Sequence, residues 1–276
     1  MGEQLAAKLP KEKPERVKRI LVAGGGPAGM EAAITAAGRG HAVTIVEKSG
    51  RLGGNLHPAG AAYFKEDIRK LICVLEKRVE RAGVMVILNT EVTPDYVKGF
   101  APDVLFVAIG ANELRPPIKG IESEHVVMAI DAELHPEKLG QKVAIMGGGL
   151  VGAEGAVGFC HEGKECTVIE MKPVIAEEVN SFYRGGLMPE VEKSAKCLVN
   201  TKVKEIVPEG VLCERDGEEF TVEADTVVCA LGFWSPYEKV DELADLAEES
   251  YIIGDCKKVG KIYDAMNTAY YSALRV

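Results

Sequence analysis

Apolar residues in this chain gather into short runs that end in glycine, and the runs recur. "RILVAGGG", Arg19 to Gly26, is a β-branched run feeding three glycines. "PAGMEAAITAAGRG" follows as an alanine-rich helix with a glycine stop, and "AVTIVEK" as a second strand ending in an acid. Continuous apolar strands separated by a helical stretch predict a βαβ unit with a buried parallel sheet. The pattern then repeats as "KVAIMGGG", "LVGAEGAVGFCHEG" and "CTVIEMK". Gly24 to Glu47 spans 23 positions, and so does Gly147 to Glu170. Each copy later reaches a buried strand ending in glycine, "DVLFVAIG" at Gly110 and "DTVVCALG" at Gly232. These glycines lie 86 and 85 positions after the first glycine of their copies. Three matched landmarks predict two homologous α/β, Rossmann-like nucleotide-binding domains.

The spacing Gly24, Gly26, Gly29 supplies a dinucleotide fingerprint. The first glycine permits the tight turn, the second lets backbone approach a pyrophosphate, and the third lets helix and strand pack closely. Pro27 and Ala28 open the helix whose free N–H groups and dipole face the phosphates. Glu47, ending the next strand, is placed to accept from the adenosine ribose hydroxyls, with Lys48 beside it. Gly147, Gly149, Gly152 and Glu170 repeat the set. A carboxylate at position 170 suits a free 2′-hydroxyl and repels a 2′-phosphate, favouring NAD(H) over NADP(H); nearby Lys172 softens that preference.

Composition narrows the class. Hydrophobic residues are 47% and charged residues 27%, the balance of a globular protein. With 33 Lys+Arg against 42 Asp+Glu the net charge is −9, which speaks against a nucleic-acid partner. No apolar run reaches the roughly 20 residues a bilayer demands, and the start has no apolar signal core, so a cytoplasmic address is expected. The seven cysteines form no C-x-x-C pair. Cys160, His161 and Cys166 in "FCHEGKEC" read as small thiols at a helix–strand junction rather than a metal centre. Residues 1–18, polar and interrupted by Pro10 and Pro14, read as a linker left from a longer polypeptide.

Near the C-terminus "SYIIGDC" is a strand ending in Gly254-Asp255, followed by a helix. This arrangement resembles the two-dinucleotide-domain flavoproteins. The resemblance implies that Asp255 holds the ribityl chain of FAD and that the following helix faces the flavin. It also orders the domains: an FAD domain of residues 19–112 plus 236–276, with an NAD(H) domain of 113–235 inserted. "NELRPPIKG" and "FWSP" are the expected crossovers, where Arg115 and Trp234 read as hinge or packing residues. Disulfide reductases of this architecture carry a cysteine pair after "LGG" or inside the nicotinamide domain. Here Gly53 and Gly54 are followed by Asn55, so dithiol chemistry is not expected.

"EKSGRLGGNLHPAG", "GGGPAGMEAA" and "IMGGGLVGAE" together resemble the C-terminal half of the iron–sulfur flavoenzymes related to 2-enoate reductase and 2,4-dienoyl-CoA reductase, from Arg19 to Val276. That likeness implies an electron-entry module in which NADH reduces FAD. Electrons then pass to a 4Fe-4S cluster and an FMN-bearing barrel, neither of which is encoded here, or to a separate partner subunit, for reduction of an activated carbon–carbon double bond. Gly24, Gly26, Pro27, Ala28, Gly29, Glu47, Lys48, Gly53, Gly54, Asn55, Gly110, Gly254 and Asp255 are the expected FAD contacts, and Gly147, Gly149, Gly152 and Glu170 those of NADH. No catalytic side chain and no metal ligand is expected. His57 reads either as a plain loop histidine or as a group approaching the flavin. Two alternatives stand: an ADP-binding scaffold, as in relatives resembling trimethylamine dehydrogenase, and a free-standing reductase subunit resembling the glutamate synthase small subunit.

Overall fold

The computed structural model describes residues 14–276; most of the polar stretch read as a linker, with Pro10, lies outside the described residues. From its C-terminal end, Arg16 pairs with Asp103 and Lys18 with Glu249, so residues 16–18 are bonded to the body of the protein rather than running free.

In chain order the first half holds β1 (Arg19–Ala23), α1 (Pro27–Gly38), β2 (Ala42–Val46), α2 (Leu56–Ala59), α3 (Glu66–Arg81), β3 (Met85–Ile87), α4 (Pro94–Phe100), β4 (Val104–Val107) and β5 (Asn112–Glu113). The second copy follows as β6 (Val126–Met128), α5 (Ala129–Leu134), β7 (Lys142–Met146), α6 (Leu150–His161), β8 (Glu165–Ile169), α7 (Ser181–Ser194) and β9 (Ala195–Leu198). It continues with β10 (Lys202–Val207), β11 (Gly210–Arg215), β12 (Glu218–Glu223), β13 (Thr226–Cys229) and β14 (Phe233–Trp234). The chain ends with α8 (Tyr237–Ala244), β15 (Glu249–Ile252) and α9 (Ile262–Ala273).

Two compact units result. One comprises the described residues through His57, Glu66–Asn112 and Trp234–Val276; the other comprises Pro58–Lys65 and Glu113–Phe233. The units depart from the expected boundaries at two places: Pro58–Lys65 groups with the second unit, and the return to the first unit comes at Trp234 rather than at 236. The cause of the first is local bonding: the Lys65 ammonium pairs with Glu154 on α6 and lies 2.9 Å from the Tyr183 hydroxyl, and Tyr63 stacks on His161 at 3.9 Å.

In the first unit a parallel sheet runs β15-β4-β1-β2-β3. Its central strands are apolar on both sides because helices cover both faces, and Ile20, Leu21, Leu105 and Phe106 are fully buried. Glu31 on α1 is also buried and pairs with Arg78 on α3 at 2.9 Å. The second unit has a parallel sheet in the equivalent order, β6-β13-β7-β8-β9. Two differences mark the copies. The outer strand beside β4 comes from late in the chain, whereas its counterpart β6 precedes its own glycine turn. The second copy also carries an antiparallel ribbon, β10-β11-β12, between β9 and β13.

The repeat persists in single hydrogen bonds. Asn89 and Asn200 both adopt left-handed backbone, and their amides donate to the Ser49 and Lys172 carbonyls at 2.9 and 3.0 Å. The next residues, Thr90 and Thr201, donate to Glu47 and Glu170 at 3.0 and 2.9 Å.

Candidate functional site

Each unit has a cavity at the carboxyl ends of its strands, where an open parallel sheet leaves a crevice. The first, about 240 Å³, is lined by Gly24, Gly26, Pro27, Ala28, Glu47, Lys48, Gly54, Asn55, Gly110 and Asp255, with Lys239 and Glu91 as an ion pair at its margin. Gly29, Gly53 and Gly254 stand behind these residues. A Cβ on Gly29 would lie 1.9 Å from the Gly24 carbonyl oxygen, and one on Gly254 would lie 2.7 Å from the Ala28 Cβ. The Gly53 amide donates to the Gly25 carbonyl at 2.9 Å, which seats the loop of residues 52–55 against the glycine turn.

Whether this turn suits a pyrophosphate can be judged from its open space. Gly24 has φ +109 and its Cβ position is filled by the Ala108 carbonyl, so the chain turns here and only glycine fits. A Cβ on Gly26, by contrast, would meet nothing within 4 Å: the approach to the first turn of α1 is clear. Gly26 caps α1 without any side-chain bond, and Pro27 at its start has no N–H to satisfy. The donors that follow are thus available to an anion, as FAD requires.

Glu47, expected at the adenosine ribose, is bonded within the protein itself. Its carboxylate accepts from the Gly25 amide at 2.7 Å and from the Ser49 amide at 2.8 Å, and it is buried. One oxygen clamps the glycine turn and the other the end of β2. Each oxygen keeps a lone pair for a hydroxyl. Asp255 accepts from the Gly260 amide at 3.2 Å. Burial holds its carboxyl above the ordinary range; the Gly260 bond opposes that rise and the Asp264 charge adds to it. Asp255 sits inside a short 3₁₀ turn, Gly254–Cys256, and a loop separates it from α9; Asp264 accepts from the Lys261 amide at 2.9 Å, so that helix start already carries its own acid. His57 is ordered by its ring nitrogen lying 2.7 Å from the Leu52 carbonyl, which braces the same loop.

The second cavity, about 650 Å³, is lined by Gly147, Gly148, Gly149, Glu170, Lys172, Glu177 and Glu178, with Glu113 and Gly232 across it. Gly152 again lies behind, its Cβ direction 1.9 Å from the Gly147 carbonyl oxygen. Glu170 repeats the clamp, accepting from Gly148 at 2.7 Å and Lys172 at 2.8 Å. The Lys172 ammonium pairs with Glu177 at 3.2 Å. Burial raises the Glu113 carboxyl, although the Ile130 amide donates to it at 2.8 Å.

Glu177, Glu178 and Glu113 were not among the residues singled out from sequence. The two glutamates were legible in the repeat: the offset of 123 positions that relates the two glycine turns carries Gly54 onto Glu177 and Asn55 onto Glu178. Ala176 stands where Gly53 does, and its amide donates to Gly148 at 2.7 Å as Gly53 does to Gly25. Of the thiols, Cys160 donates to the Ser194 carbonyl at 2.9 Å and Cys166 is buried in the core of the second unit. No helix among the described residues is long and apolar enough to cross a membrane.

Comparison with known proteins adds the lineage. A family model described as pyridine nucleotide-disulphide oxidoreductase matches residues 18–247. A cinnamate reductase of Clostridium sporogenes is 35% identical over 96% of this chain and 40% of its own length. An NADH oxidase of Thermoanaerobacter brockii is 34% identical over 94% of this chain and 41% of its own. The solved structure of a 2-naphthoyl-CoA reductase in complex with 2-naphthoyl-CoA superimposes with a TM-score of 0.91 at 34% identity, covering 97% of this chain and 41% of that one. The chain thus spans about two fifths of the length of these relatives.

Proposed function

The chain belongs to the pyridine nucleotide-disulphide oxidoreductase family, and on that premise we propose that its first glycine turn holds FAD, its second holds NADH, and hydride passes from NADH to FAD. The observation that carries the reading is the paired geometry: two glycine turns, each with its acid clamp, each opening into a cavity of its own unit. When bound, FAD supplies an acceptor that takes two electrons as hydride and releases them singly or together.

The residues supply position and field. The open N-terminus of α1 takes the FAD pyrophosphate, Glu47 the adenosine ribose and Asp255 the ribityl hydroxyls. Gly53, Gly54 and Asn55 form the loop seated on that turn. For the nicotinamide nucleotide, Glu170 takes the ribose 2′-hydroxyl. A 2′-phosphate in that place would face two carboxylates, Glu170 and Glu177, and a lysine already paired with the second of them. NADH is therefore the preferred donor.

For the onward step we extend the reading to an iron–sulfur and FMN-bearing barrel, on the same polypeptide or on a partner subunit, that reduces an activated carbon–carbon double bond. Relatives named cinnamate reductase and 2-naphthoyl-CoA reductase, in which a region like this chain is about two fifths of the length, support that extension. The test is an anaerobic absorbance titration of protein reconstituted with FAD. The flavin band should bleach with stoichiometric NADH and need at least tenfold more NADPH. Protein that binds ADP but not FAD would instead be a scaffold, and the proposal would fail.

A further inference from the structure

The two glycine turns share backbone and acid clamp but differ at the point a pyrophosphate would occupy. In the first, a Cβ on Gly26 meets nothing within 4 Å, and the residue that corresponds to Glu178 in the repeat is neutral Asn55. In the second, the Glu178 carboxylate stands there. Its Oε1 accepts from the Leu150 amide at 2.8 Å, the first helical residue of α6, and lies 3.2 Å from the Cβ direction of Gly149.

We infer that Glu178 is a built-in anionic plug of the second dinucleotide site, displaced each time the nicotinamide nucleotide binds. The inference rests on reading that turn as the NADH site. The Leu150 amide is the kind of donor that a helix start offers to a phosphate oxygen, and one N–H cannot serve both anions. Like charges a few ångströms apart repel strongly near a protein surface. Glu178 must therefore swing away before a pyrophosphate settles. It is free to do so, because it is solvent-exposed.

The consequence is an apparent affinity equal to the intrinsic one multiplied by the fraction of time the plug is unseated. That asymmetry matches the two proposed ligands. FAD stays through every turnover and meets an open cradle. NADH must leave as NAD⁺ after each hydride transfer, and the returning carboxylate takes back the amide it had lost. Position 178 thus sets how readily the second nucleotide exchanges, while Glu170 sets which nucleotide is accepted.

Isothermal titration of the FAD-loaded protein with ADP-ribose tests this, because that ligand carries the pyrophosphate and no hydride. Adenosine, which lacks the pyrophosphate, is the control. Glu178→Gln keeps an acceptor oxygen for Leu150 but removes the charge; Glu178→Ala removes both. ADP-ribose should bind Glu178→Gln about tenfold more tightly than wild type, about 1.4 kcal/mol. Glu178→Ala should also bind it more tightly than wild type, and adenosine affinity should stay within twofold. Equal or weaker ADP-ribose binding by Glu178→Gln, with FAD still bound, overturns the plug while leaving the NADH site in place. Absence of ADP-ribose binding in wild type and both variants, with FAD bound, overturns the plug and the NADH reading of the second turn together.

Discussion

Glu133 shows how one carboxyl links burial to pH. It sits on α5, and burial, reinforced by the nearby Glu154 charge, pushes its pKa up to about 7, while the Lys65 ammonium only partly offsets this. An acid whose folded pKa lies above its unfolded value binds more protons when folded. Its contribution to stability is then complete below the unfolded value near 4.5 and is lost as pH rises through about 7. Glu133→Gln keeps the shape and removes the titration. We expect this variant to be roughly 1–3 kcal/mol more stable than wild type at pH 8 and little different at pH 5. Urea melts at the two pH values check it: parallel pH dependences of the two proteins would mean that Glu133 is ionised in the fold without cost. The neighbouring charges at Lys65 and Glu154 make this a property of the cluster, and no periodicity in "AIDAEL" announces it.

At the scale of elements, the glycine-to-helix turns carry the argument. A methyl group at position 29 would lie 1.9 Å from the Gly24 carbonyl oxygen, and one at 152 equally close to that of Gly147; both obstacles are backbone, so the turn itself must move. Gly29→Ala should lose FAD by at least a hundredfold while ADP-ribose binding changes less than threefold. Gly152→Ala should do the reverse. Flavin absorbance after gel filtration and calorimetry with ADP-ribose read the two sites separately, and loss of both ligands in both variants would show general unfolding instead.

How much was legible follows from the same elements. Runs such as "ILVA" and "VLFV" announce parallel strands because both faces are covered, and the repeated offset of 123 positions announces the second copy. The β10-β11-β12 ribbon was missed because its two outer strands are largely exposed and carry no continuous apolar run. "KVKEIV" and "EEFTVE" alternate with exposed charges, and only Asp216-Gly217, both with positive φ, marks the hairpin. The attachment of Pro58–Lys65 to the second unit was equally silent. It depends on Lys65 meeting Glu154, 89 positions away. Spacing singled out Glu47 and Glu170, but it did not announce their clamp on the glycine amides, since a carboxylate has more lone pairs than a motif assigns to it.

At the scale of the whole molecule, the chain belongs to a family whose description includes disulphide chemistry, yet neither of the two cavities is lined by a pair of thiols. A dithiol relay needs two thiols that can pair beside the electron source. Asn55 occupies the loop after "LGG", and no cysteine is among the residues lining the first cavity. Of the residues lining the second, Cys229 alone is a cysteine; it is buried, burial raises its pKa, and its thiol is spent on the Leu114 carbonyl at 3.7 Å. A raised pKa leaves little thiolate, the species that attacks a disulfide. On the function proposed above, electrons from NADH would then leave the flavin directly, to whatever acceptor reaches it. Protein reconstituted with FAD should reduce ferricyanide with NADH in steady state, and oxidised glutathione or lipoamide at rates at least a hundredfold lower. Replacing Cys229 by Ser should leave the ferricyanide rate within a few-fold. Disulfide turnover comparable to ferricyanide turnover, abolished by Cys229→Ser, would place a thiol relay in the second unit and overturn this assignment of the electron path.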